Sequence, residues 1–199
     1  MANTKLTLDD IVDLRAYERQ RDDFRTHVIA IKRLRRVAVG PIVTLVFENR
    51  DTIRFQIQEM VRAERMLSDE AVLAELETYN PLIPEPGQLS ATLFVELTTK
   101  VQLEEWLPKL VGIERSIELL LGEGDSARVV RCVVEEEHAA QLTREEVTAS
   151  VHYVRFELSP DEVEAFATGP AVLAVNHPAY AYGAPLSDET RAELLTDLR

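Results

Sequence analysis

Between Glu48 and Met66 the chain reads ENRDTIRFQIQEMVRAERM, a run in which carboxylates, amides and guanidinium groups recur every three or four residues. On a helix, steps of three put Gln56, Glu59 and Arg62 on one side, with Arg54, Gln58 and Arg65 along the adjoining one. Asn49 or Asp51 is placed to cap that helix, while Ile53, Ile57, Met60 and Val61 make its apolar stripe. Glu64 follows Met60 by four and extends the stripe. Its carboxylate is therefore expected to be partly buried and to need a partner, either Arg50 or an arginine of the preceding helix. Two chemistries fit such a surface: a polar pocket for an anionic or amide ligand, or a lattice of ion pairs that pins the helix to its neighbours. The lattice is the more ordinary, because ion-pair networks are common and ligand sites are few per protein.

A second cationic group, KRLRR, sets Lys32, Arg33, Arg35 and Arg36 at the end of a helical pattern, where the helix dipole favours positive charge. It also suits a phosphate group or an acidic partner. Of the four histidines, His27 falls on the apolar stripe of its helix and His152 shares a strand face with Val154, Phe156 and Leu158, which reads as core packing. Glu135 and His138 have a spacing that binds metal when both project from a helix into a bundle, but EEEH follows a strand into a charged loop. His177 leaves an apolar strand in the segment VNHPAYAYG, close in sequence to Asn176, Tyr180 and Tyr182. Loops at strand ends are where sites are commonly grafted. As a catalyst, His177 would work with Glu59 or Glu64 as an acid and base pair.

The sequence lacks a phosphate-cradling glycine motif, a nucleophile elbow, a Cys-x-x-Cys and a His-Glu-x-x-His, so no cofactor and no metal site is predicted. The 199 residues carry a net charge of −13, unevenly spread. Residues 15 to 65 hold 12 of the 22 Lys and Arg but 7 of the 35 Asp and Glu, which makes a basic island on an acidic chain. Overall acidity argues against nucleic acid as a partner, since phosphate contacts need a basic footprint. The single cysteine, Cys132, on the alternating face of Val130 and Val134, reads as a small buried hydrophobe and fits a reducing, cytoplasmic compartment. The apolar uncharged run over residues 37 to 47 has 11 residues, against the roughly 20 a membrane-spanning helix needs.

Around these residues the periodicity sets the elements. Thr7 with Asp10 forms a capping box ahead of Leu8, Ile11 and Leu14, and a second helical pattern follows through Phe24, Val28, Ile31 and Leu34. Gly40-Pro41 joins two β-branched runs into a hairpin over about residues 35 to 48. Ser68 starts a helix that Asn80-Pro81 stops. The second half alternates strands (LSATLFVEL, residues 114–121 and 128–135, SVHYVRFEL, AVLAV) with helices beginning near Thr99, Ser159 and Ser187. The order implies an α+β fold, a mainly antiparallel sheet with helices packed on one face and a helical N-terminal segment. A single domain over residues 1–199 is expected, with the proline-rich segment 80–88 as the one candidate boundary.

The phrases KRLRRVAVGP, FENRDTIRFQIQEMVRAER, YNPLIPEPGQLSATLFVEL, VGIER, VHYVRFEL and AVLAVNHPAY together resemble a bacterial family of unknown function, DUF3501, over nearly the whole chain. The resemblance transfers no catalytic residue. It implies a role beside redox or metal physiology, since genes of that family neighbour those of rubrerythrin-like and iron-sulfur proteins. The expected function is that of a cytoplasmic, non-catalytic accessory or binding protein. Its basic face, built from Lys32 to Arg36 and the Asn49 to Arg65 helix, would receive an acidic partner or a small anion. The alternatives are a small-molecule enzyme using the glutamate and histidine pair, and a homodimer whose basic island docks on its twin's acidic half.

Overall fold

The computed structural model describes residues 5–124, 127–134 and 147–199. After a 3-10 turn at Leu8–Asp10, the chain forms α1 (Leu14–Arg35), the hairpin β1 (Arg36–Val39) and β2 (Val43–Glu48), then α2 (Arg50–Ala63) and α3 (Asp69–Tyr79). The second half contributes β3 (Gln88–Val95), α4 (Lys100–Trp106), β4 (Ile117–Leu121), β5 (Arg128–Arg131), β6 (Val133–Val134) and β7 (Val151–Glu157). It ends with α5 (Pro160–Thr168), β8 (Ala171–His177), β9 (Tyr180–Pro185) and α6 (Asp188–Leu198).

The fold is α+β and its strand pairings are antiparallel, as the element order implies, but the strands divide into two sheets, β1-β2-β3-β7-β6 and β5-β4-β8-β9. The division happens at Cys132. Its N–H bonds the Ile117 carbonyl at 3.0 Å, whereas the next residue, Val133, pairs with Arg155 of the other sheet. Alternation does the rest: Leu45, Leu93 and His152 stand in register on one face, and Leu119 and Leu173 on the face of the second sheet, so both inner faces close over one core. Phe47 and Phe156 meet there with ring centroids 6.4 Å apart.

Tyr180 ties the sheets together at the other edge. Its hydroxyl donates to the Val39 carbonyl at 2.7 Å and accepts the N–H groups of Ile42 and Val43 at 3.2 and 3.3 Å, which satisfies the β1–β2 turn. Gly40 in that turn has a φ of 75°, and a β-carbon there would stand 2.5 Å from the Tyr180 oxygen and 2.6 Å from the Tyr182 ring. Backbone conformation and space both require glycine. The segment VNHPAYAYG, read as a loop, thus forms the β8–β9 turn and the edge strand β9.

A second apolar cluster, with Leu6, Ile53, Ile57, Val61, Leu76 and Ile83 among its buried members, joins α2, α3 and the N-terminal segment. The capping box at Thr7 and Asp10 is present but opens a single 3-10 turn rather than a helix through Leu14. The reason is local. Gln58 takes both the N–H and the carbonyl of Val12, at 3.1 and 2.9 Å, and Asp13 caps a new helix by accepting the Ala16 N–H. The proline-rich segment is bonded to what surrounds it: the Gly87 N–H reaches the Leu198 carbonyl, and the Gly87 carbonyl takes the Leu158 N–H. No helix among the described residues is long and apolar enough to cross a membrane.

Candidate functional site

Asn49 caps α2 in a reciprocal box: its amide oxygen accepts the Thr52 N–H at 3.0 Å, and the Thr52 hydroxyl accepts the Asn49 N–H at 2.9 Å. That start fixes the rotation of the helix, burying Ile53, Ile57, Gln58 and Val61 and turning its charged side to α1. There the carboxylate of Glu59 accepts two hydrogen bonds from Arg21, both at 2.8 Å, and a third from the Tyr17 hydroxyl at 2.6 Å. The Arg21 hydrogen bond, supported by Tyr17, holds the Glu59 carboxyl below its ordinary range. Burial, with Glu59 beside it, pushes the Tyr17 phenol far above its own range. Arg62 pairs with Glu18 at 2.6 Å and Arg50 with Asp10 at 2.6 Å, while Arg54 donates to the Asp10 carbonyl and lies over the Phe24 ring. Gln56 hydrogen-bonds the Tyr153 phenol of β7. The polar residues of this helix are therefore spent on fixing α2 to α1, the N-terminal segment and the sheet.

Glu64 departs from expectation. The helix ends at Ala63, Glu64 is its exposed C-cap, and the break in helical periodicity takes the carboxylate off the apolar stripe. His27 also departs from the expected core position: it is exposed and meets Asp51 across the α1–α2 groove at 3.2 Å. His177 is buried and has both ring nitrogens engaged, Nε2 donating to the Val111 carbonyl at 3.1 Å and Nδ1 accepting the Ala179 N–H at 3.2 Å. Neither Glu59 nor His177 has a contact that joins it to the other. The Glu135 and His138 pair lies outside the described residues, among which no three or more His, Cys, Asp or Glu side chains are grouped to hold a metal.

The KRLRR cluster splits by environment. Arg35 is 1% exposed, held by Asp197 through two bonds at 2.6 and 3.0 Å and by Glu193 at 2.9 Å, and so locks the end of α1 to α6. Arg36 pairs with Glu96 at the sheet surface. Arg33 is exposed and Lys32 half-buried, and neither has an ion-pair partner among the described residues. Arg25, two turns earlier on the same face, is exposed and likewise has no ion-pair partner among the described residues, and between them Ile29 is 55% exposed. An isoleucine ringed by unspent cations is what the sequence reading missed. The signal for it was the i, i+4, i+7, i+8 spacing of Arg25, Ile29, Lys32 and Arg33, which KRLRR alone does not display.

Three interior atoms add polar features that periodicity could not announce. Glu48 is buried with Oε1 accepting the Thr92 hydroxyl at 2.6 Å and Oε2 without a partner among the described residues. Glu114 Oε2 and His152 Nδ1 are also buried and have no partner among the described residues. His152 Nε2 lies 2.9 Å from the Ala149 carbonyl, which can only accept, so the proton sits on Nε2 and Nδ1 presents a bare lone pair. Burial pushes the Cys132 thiol up to about 11, which leaves it unreactive at neutral pH.

The family model for proteins of unknown function, DUF3501, matches residues 5–198. A crystal structure of a novel protein of unknown function from Burkholderia pseudomallei is similar to this chain with a TM-score of 0.88 and 34% identity, covering 98% of this chain and 100% of that one. No curated protein matches. The match over almost the full length, carried by the same two-sheet fold, makes this chain a member of the DUF3501 family.

Proposed function

We propose that the protein is a non-catalytic binding component, a single folding unit of the cytoplasm that needs no cofactor and receives an acidic protein surface on the outer face of α1. The observation that carries this reading is the sorting of the cations. Arg21, Arg35, Arg36, Arg50 and Arg62 are committed to carboxylates, whereas Arg25, Lys32 and Arg33, around exposed Ile29, have no ion-pair partner among the described residues. A small anion is better held by converging, partly buried donors than by an open convex face. An aliphatic centre with a cationic rim fits a protein surface, in which rim charges set encounter rate and salt dependence.

The enzyme alternative, with Glu59 or Glu64 and His177 as acid and base, has less support. Glu59 and His177 are saturated by other groups, and Glu64 is an exposed helix cap. The test is capture of native partners by the wild type and by K32E/R33E, at low and at raised salt. The expected result is loss of a salt-sensitive acidic partner with an unchanged melting temperature. Identical captured partners would reject the face.

A further inference from the structure

At the opposite end of α1 the surface has the complementary character. Two adjoining hollows of about 380 and 580 Å³ lie over the second apolar cluster and share Leu8 and Asp9 in their walls. Their floors are aliphatic, and Leu67 at the rim is 88% exposed. Every charged residue in the two walls is a carboxylate: Asp9, Asp13, Asp69 and Glu77. The backbone that presents Leu67 is itself unusual. Arg65, after the end of α2, has a φ of 53°, and the Met66 N–H returns to the Val61 carbonyl, so a left-handed residue other than glycine turns the next segment outward.

Within one copy the groove and the cationic face cannot meet. The groove lies at Leu14, the first residue of α1, and the cations are centred on Lys32, eighteen residues on, which is about 27 Å along a straight helix. Antiparallel apposition of two α1 helices brings each groove to the other copy's cationic end. The contact then forms twice about one two-fold axis and closes. Resting on the reading of the α1 face given above, we infer that the acidic surface it receives is the groove of a second copy, with Ile29 seated near Leu67 and Arg25, Lys32 and Arg33 facing Asp9, Asp69 and Glu77.

Charge exchange tests this in solution. Light scattering of the full chain should give twice the monomer mass at low salt and the monomer mass at high salt, because solvent-exposed pairs are screened. K32E/R33E and D69K/E77K each put like charges in both contacts and should weaken the dimer at least ~10-fold. An equimolar mixture of the two variants pairs an acidic face with a basic groove and a basic face with an acidic groove, and should regain the dimer. All four positions are on the surface, and E77K alone, within α3 and away from its cap, serves as the second variant if D69K/E77K melts early. A wild type that stays monomeric at low salt, or a mixture that associates no better than its components, overturns the inference. A monomeric wild type whose acidic partner is still lost with K32E/R33E overturns only the second copy and leaves the α1 face standing.

Discussion

At the scale of single residues, Gly40 and His152 show two different constraints. Gly40 combines a positive φ with a side-chain-sized space already filled by Tyr180 and Tyr182. Gly40→Ala should lower stability by roughly 3 kcal/mol, the left-handed strain and the clash together, read as a drop in denaturation midpoint with an unchanged slope. His152 is held below the ordinary histidine value of 6.5 by burial. Below 6.5 and down to that lowered value the unfolded chain takes up a proton that the folded chain refuses, so stability falls as the pH drops through this window and is regained as it rises. Denaturation midpoints of the wild type and His152→Gln across the window should converge toward acid. Parallel curves would mean that another group carries the pH dependence.

At the scale of elements, the ends of helices carry much of the account. The capping residues Ser68, Thr99, Ser159 and Ser187 all start helices in the structure, and Gly40-Pro41 makes the expected hairpin turn. Those signals were legible because a cap or a turn involves residues within four positions of each other. Arg35 was not legible. Its partners, Glu193 and Asp197, are 158 and 162 residues away, and nothing in KRLRR tells which of four cations turns inward. β9 escaped for a related reason: YAYGAP is a largely exposed edge strand, so its outer positions lack the apolar alternation that marks a strand. Glu64 followed the helical period correctly but lay one residue beyond the helix. Arg35 also gives the element-scale prediction. Arg35→Ala should cost about 3–5 kcal/mol, since it strands two carboxylates at the α1–α6 junction. Arg21→Ala, which opens a pair about a quarter exposed and screened by solvent, should cost much less. Equal melting losses for the two would contradict the assignment of Arg35 as the lock.

At the scale of the whole molecule, the uneven charge that the sequence displays becomes a division of labour. Six of the twelve basic residues of the island, Arg21, Arg35, Arg36, Arg50, Arg54 and Arg62, are spent on contacts within the fold, and among the remainder Arg25, Lys32 and Arg33 surround Ile29 on the outer face of α1. The net charge of −13 keeps such a face selective, because the rest of the surface repels acidic partners that fail to meet it. The central claim is that this remainder is a docking face, and site-specific photo-crosslinking tests it most directly. A photoreactive phenylalanine replaces Ile29 in one protein and, as control, the still more exposed Val101 of α4 in another. A discrete crosslinked product is expected from position 29 that disappears in high salt or with K32E/R33E, and none at position 101. Equal products from both positions, or none from position 29, would contradict it.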